Sequence, residues 1–177
     1  MRSVVLIGNP KVGSRTAAAA VRVADALRQA LHRHGAAVAD AGVVDLSVLA
    51  RHLLDPSGDR AAVDDALGLV RAAGLLVVAS PTFKASYAGL LKVFLDVLPP
   101  RGLSGAVAVP VMTAASAGHR YAVDTYLRPV LMELGAVVPT PGLSVLEAEF
   151  EVIDEVFAKW SVSAIPTLAA LLGPGEG

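Results

Sequence analysis

Three short stretches carry the residues whose types and spacing suit chemistry. The first is Gly8-Asn9-Pro10-Lys11-Val12-Gly13-Ser14-Arg15-Thr16, set between an apolar run and a long amphipathic segment. A loop that leaves a strand and enters a helix aims free backbone N–H groups and the positive end of the helix dipole at one point. That is the general solution for holding a phosphate. Ser14 and Thr16 add hydroxyls, and Lys11 and Arg15 add charge. The same residues also read as an ordinary strand–helix turn with Ser14 as a simple cap, and spacing alone leaves both readings open. The second stretch is Pro81-Thr82-Phe83-Lys84. Free backbone groups there suit the edge of a flat heterocycle, and Phe83 suits its face. As plain core or interface aromatics, Phe83 and Tyr87 have a simpler reading. The third is Thr113-Ala114-Ala115-Ser116-Ala117-Gly118-His119, whose small residues allow a ring to approach the backbone closely. His119 reads either as a ligand contact or as a helix-start residue.

Several other chemistries are excluded by residue type or spacing. Gly8 and Gly13 have the separation of a nucleotide P-loop, but Ser14 stands where its lysine is obligatory. The dinucleotide pattern G-x-G-x-x-G is absent. Ser116, His119 and Asp124 lie within nine residues without a G-x-S-x-G elbow, which argues against a hydrolytic triad. The absence of cysteine removes disulfides, thiolate catalysis and thiolate metal sites, and is compatible with the cytoplasm. His32 and His34 have no carboxylate partner at metal-ligand spacing. A net charge of −1 with dispersed signs leaves no footprint for nucleic acid.

The elements that must position these stretches follow from periodicity. Short apolar strands are expected at 3–7, 38–46, 75–79, 106–112 and 136–138. Proline cannot donate to a ladder, so Ser80-Pro81 is expected to stop the third strand. Helices are expected at 15–34, 61–73, 86–98 and 119–134, with another from 147 to about 172. Gly35 falls where a left-handed cap is needed. Ser57 to Arg60 reads as a turn, and Pro166 as a break in the last helix. In 86–98, Ser86 suits the N-cap, and Tyr87, Leu90, Leu91, Phe94, Leu95 and Leu98 recur on one face. That face, with Val93 and Val97, is wider than one sheet requires, which points to a second subunit. Pro129 must remove a backbone hydrogen bond and bend the 119–134 helix near Thr125.

Strands alternating with long helices specify an α/β fold, a parallel sheet of five strands covered on both faces. The 177 residues fit one domain over 1–172 with a disordered tail at 173–177. Apolar residues make up 54% of the chain, with a mean hydropathy of +0.60. No run reaches spanning length without a Pro, Gly or polar break, so no membrane segment is expected. The surplus apolar surface is assigned to subunit contacts. Only five residues separate Arg2 from Gly8, too few for a signal-peptide core.

Residues 80–92, with the 8–16 loop and the segment Ala122-Val123-Asp124…Leu127-Arg128-Pro129-Val130-Leu131, resemble the flavodoxin-like NAD(P)H-dependent FMN reductases. The nearest branch serves two-component monooxygenases of the alkanesulfonate type. The resemblance runs from about Val4 to Leu143. It implies a flavodoxin-like three-layer sandwich with strand order 2-1-3-4-5 and the ligand at the switch between the first and third strands. It implies FMN with its phosphate at Asn9, Ser14, Arg15 and Thr16, and Lys11 close by. The ring would lie against Pro81, Thr82, Phe83 and Lys84, with its other edge at Thr113, Ala114, Ala115 and Ser116. NADPH or NADH would supply hydride to flavin N5, with no acid–base side chain required. A homodimer or homotetramer through helices 86–98 and 119–134 and a monooxygenase partner are implied as well. An FMN-bound quinone or azo reductase and a non-enzymatic electron-transfer module are the alternatives. Asn9 departs from the usual small Ser, and Ala114-Ala115 replace paired glycines, placing two methyl groups where the ring edge is expected.

Overall fold

A computed structural model describes residues 1–55 and 60–173. A parallel sheet forms its centre. Strand β1 (Ser3–Ile7) pairs on one side with β2 (Ala41–Asp45) and on the other with β3 (Leu75–Phe83). Beyond β3 lie β5 (Val107–Ala114) and the edge strand β6 (Leu143–Leu146), giving the order β2-β1-β3-β5-β6. A two-residue strand, β4 (Ser86–Tyr87), folds back antiparallel on the end of β3. Among the five parallel strands this is the flavodoxin-like order 2-1-3-4-5, as the resemblance implied.

Alternation along the strands divides the core in two. Val4, Leu6, Leu76 and Val78 face the layer built from α2 (Leu46–Leu54), α3 (Ala61–Arg71), α4 (Gly89–Val97) and α5 (Arg128–Glu133). Val5, Ile7, Val77 and Val109 face α1 (Arg15–Arg33) and α6 (Ile153–Leu172). Both faces of the central strands are covered, which is why β1 and β3 are continuous apolar runs. Helix α1 buries Ala20, Val23, Leu27 and Leu31, and the chain turns out of it through Gly35 at φ +86°.

Five expectations need correction, the last of them at Pro166. Pro81 does not end β3, which pairs with β5 as far as Pro81↔Thr113. The Ala79 carbonyl, which accepts from the Gly8 amide, faces β1, and Pro81 faces the same side two residues later. The β1 ladder ends at Ile7↔Ala79, so no partner awaits the missing N–H. Second, the helix expected at 86–98 starts at Gly89, because Ser86 and Tyr87 are used in the hairpin; Ala88 occupies the cap.

Third, residues 136–138 supply only a bridge, Val107↔Val137, and the outer strand is Leu143–Leu146. Fourth, 119–134 is not one helix. It comprises a 3-10 turn (Ala117–His119), a π-helical turn (Val123–Leu127) and α5. Pro129 cannot bond the Thr125 carbonyl, and the Arg128 amide reaches back to Val123 in the wider turn.

Helix α6 passes Pro166 without stopping, since that residue and Val162 lie on its exposed side. With the preceding 3-10 turn (Glu147–Val152) it forms a stretch long and apolar enough to cross a membrane by length and composition, 28% buried in its most apolar window. Ile153, Phe157, Ile165 and Leu168 anchor it on the sheet. The turn expected at Ser57 to Arg60 falls mostly outside the described residues, as does the tail beyond Gly173.

Candidate functional site

The loop after β1 is fixed by its own side chains. Ser14 caps α1, its Oγ accepting from the Ala17 amide at 3.1 Å. The Asn9 carboxamide accepts from the Lys11 amide (2.9 Å) and donates to Thr16 Oγ1 (3.1 Å). Thr16 Oγ1 also lies 2.8 Å from Thr113 Oγ1 on β5. Asn9, Ser14, Thr16 and Thr113 are all buried, so this network is sheltered from water and holds the first loop against the third. Gly8 lies against α4, where an added Cβ would stand 2.5 Å from Leu91 Cβ, so the loop leaves the sheet along one path. Gly13 turns the chain at φ +61°. Of the first-turn amides of α1, Ala17's is taken by the Ser14 hydroxyl and Ala18's by the Ser14 carbonyl, which leaves those of Arg15 and Thr16 as the candidate donors to a ligand.

Across the cleft, β3 and β4 form a hairpin with the pairs Thr82↔Tyr87 and Phe83↔Ser86. Its turn is Lys84-Ala85, at φ +51° and +66°. Two successive positive values identify a type I′ turn, the kind whose twist matches flanking strands. The buried Ser80 hydroxyl secures the base, donating to the Pro81 carbonyl and accepting from the Ala88 amide, each at 2.9 Å. Phe83 projects from the hairpin, 49% exposed. Burial is the first reason that the Tyr87 phenol is held above its ordinary range; Lys92 opposes the shift and Asp96 reinforces it.

These loops enclose an open cleft of about 330 Å³ at the carboxyl ends of β1, β3 and β5. Asn9, Lys11, Ser14, Arg15, Thr16, Pro81, Thr82, Phe83, Thr113 and Ala115 line it, together with Pro10 and Gly13. Lys84 sits at the hairpin tip and Ser116 caps the 3-10 turn, both outside the lining. Ala114 is buried, paired with Leu146, so only one of the two adjacent methyl groups, that of Ala115, reaches the cleft.

Two lining residues had no signal in the sequence. Glu147 and Phe150 stand on the 3-10 turn after β6. Arg15 Nη2 lies 2.7 Å from Glu147 Oε2, and its guanidinium carbon is 5.2 Å from the Phe150 ring centre. The turn is braced by Glu149, which accepts from the Leu146 amide at 2.8 Å and pairs with Arg120. Burial works to raise the Glu149 pKa, but the Leu146 amide, Arg120 and Lys159 together lower it below the ordinary value.

The lining therefore offers fixed N–H groups, two cations, two aromatic rings, one of them beneath Arg15, and one carboxylate already paired to a cation. It is suited to holding an anionic flat molecule and has no free acid–base pair for proton transfer. Fold and cleft together define a flavodoxin-like α/β protein with its cleft at the topological switch point. Residues 1–151 match the family model described as NADPH-dependent FMN reductase. The chain belongs to that family.

A curated relative, the FMN reductase (NADPH) of Pseudomonas putida, is 36% identical over 136 residues, 77% of this chain. The match spans just under two thirds of that relative, 66%. Among solved structures, an NADH:FMN oxidoreductase (EMOB) superposes with a TM-score of 0.77 at 30% identity, covering 99% of this chain and 92% of the other. An oxidoreductase from Corynebacterium diphtheriae gives 0.79 at 31% identity, covering 97% of each.

Proposed function

We propose that this protein is an NAD(P)H:FMN oxidoreductase. The observation that carries the reading is the convergence of the 8–16 loop and the Phe83 hairpin on one cleft, inside the segment that matches the family. The cleft tests favourably for FMN. The Arg15 and Thr16 amides, with the Lys11 and Arg15 side chains, meet the requirement of a phosphate. Phe83 and the small-residue wall at Ala115 suit a flat ring. Asn9, Thr16 and Thr113 are committed to one another and act as struts that hold the donors in place. Ser14 holds the helix end and keeps its own O–H to donate.

The chemistry supplied by bound flavin is acceptance of hydride from a nicotinamide at N5. This chain's contribution is positional. The 8–16 loop would hold the phosphate, and Phe83 would offer an apolar surface to the ring. The related proteins are named for NADPH in one case and NADH in the other, so both nucleotides are candidate donors. One flavodoxin-like domain over 1–172 carries this site.

Supply of reduced flavin to a partner monooxygenase follows from the likeness to the alkanesulfonate branch. A cytoplasmic homodimer or homotetramer is the setting we assign. Supporting it are the absence of cysteine and the exposed apolar side chains Val97, Tyr121, Tyr126 and Met132 on and around α4 and α5. The test is spectrophotometric. Purified protein should oxidise NADPH or NADH only when FMN is added. Absence of flavin-dependent oxidation with both nucleotides would contradict the reading, and turnover with a quinone but not with free FMN would replace it.

A further inference from the structure

Glu147 is the only acidic residue lining the cleft among the described residues, and it is bonded to the cation nearest the amide donors of α1. Arg15 is the first residue of α1, directly after the cap, where the helix dipole also favours negative charge. One arm of its guanidinium is taken by Glu147 and one face rests on Phe150. A carboxylate thus already occupies the electrostatic position that a phosphate needs.

The turn bearing Glu147 is not free to swing away. Glu149, two residues on, ties it to the Leu146 amide and to Arg120. An arriving phosphate must either displace Glu147 from Arg15 or share the guanidinium with a like charge. Both alternatives weaken binding through the phosphate and leave contacts to the ring unaffected.

We propose that Glu147 is an internal competitor for Arg15 that lowers the affinity for the flavin phosphate. This rests on the flavin reading above. It assigns Glu147 a role in phosphate affinity, without contact to the reacting atoms. An exposed ion pair is individually small, but a phosphate carries nearly two charges, so neutralising Glu147 should tighten FMN about threefold to tenfold at low ionic strength.

The experiment is fluorescence titration of wild type, Glu147→Gln and Glu147→Ala with FMN and, separately, with riboflavin, which lacks the phosphate. Expected are a lower Kd for FMN in both variants, an unchanged Kd for riboflavin, and a difference that shrinks at high salt. An FMN Kd that is unchanged or raised would overturn the proposal, the raised value marking Glu147 as a support for Arg15. An equal gain for riboflavin would also overturn it, by locating the effect at the ring. If wild type and variants alike fail to bind FMN, the flavin reading falls and this proposal with it; binding by wild type with no gain in the variants overturns this proposal alone.

Discussion

Asn9, Ser14 and Thr16, in the loop after β1, are each buried and each hydrogen-bonded, while across the same cleft Phe83 stands half exposed on a turn whose central residues both have positive φ. In the first region side chains hold the backbone; in the second the backbone holds a side chain. The first gains its rigidity from paired polar groups in a sheltered setting, where leaving one unpaired is costly. The second stores strain, since neither Lys84 nor Ala85 is a glycine and each left-handed residue costs about 1–2 kcal/mol. A phosphate requires donors that do not move, whereas a ring is served by an apolar surface that can adjust. The difference in construction matches the two ends of FMN.

That contrast can be broken most severely at Thr16. Thr16→Val keeps the shape but removes the hydroxyl joining Asn9 to Thr113. It should cost about 2 kcal/mol of stability, read from the urea midpoint, and weaken FMN binding as the loop loosens. Phe83→Ala should weaken binding without the loss of stability. Because the side chain is half exposed, the urea midpoint should barely move. FMN and riboflavin should both bind about threefold to tenfold more weakly, the value of a lost aromatic contact.

The strain itself is tested by Ala85→Gly. Relief of the left-handed residue is partly offset by the greater freedom of glycine in the unfolded chain, so a net gain of roughly 0.5 kcal/mol or less is expected in thermal unfolding. The smallest effect should be at Glu149, in the turn that supports Glu147. Its carboxyl is held below the ordinary value in the folded chain. The stability it adds is therefore complete above the ordinary glutamate range and is lost as pH falls through the lowered value. Urea midpoints measured on acidification should show this component in wild type and lack it in Glu149→Gln.

The loops were legible because each follows an uncharged apolar run, and such punctuation survives without tertiary information. The hairpin was not. Pro81 carries the ordinary mark of a strand end, and only the shorter length of β1 makes its missing N–H harmless. Residues 136–138 and 143–146 are both short and apolar, and the extent of pairing with β5, one bridge against four residue pairs, decides which becomes the edge strand. Pro129 announced an irregular helix, but the π-helical form depends on the Arg128 amide finding Val123.

Glu147 and Phe150 carried no signal at all. They reach the cleft because β6 runs parallel beside β5 and delivers the following turn to the same sheet edge. Residue type alone could not separate Ala114 from Ala115 either, since a strand sends adjacent side chains to opposite faces.

The central claim is that the 8–16 loop grips a phosphate while the hairpin receives the attached ring. Its most direct test is the ratio of dissociation constants of riboflavin and FMN for the wild-type chain, measured by flavin fluorescence at low ionic strength. FMN should bind about tenfold or more tightly than riboflavin, and the ratio should fall with added salt. Equal affinities, or a ratio indifferent to salt, would contradict it.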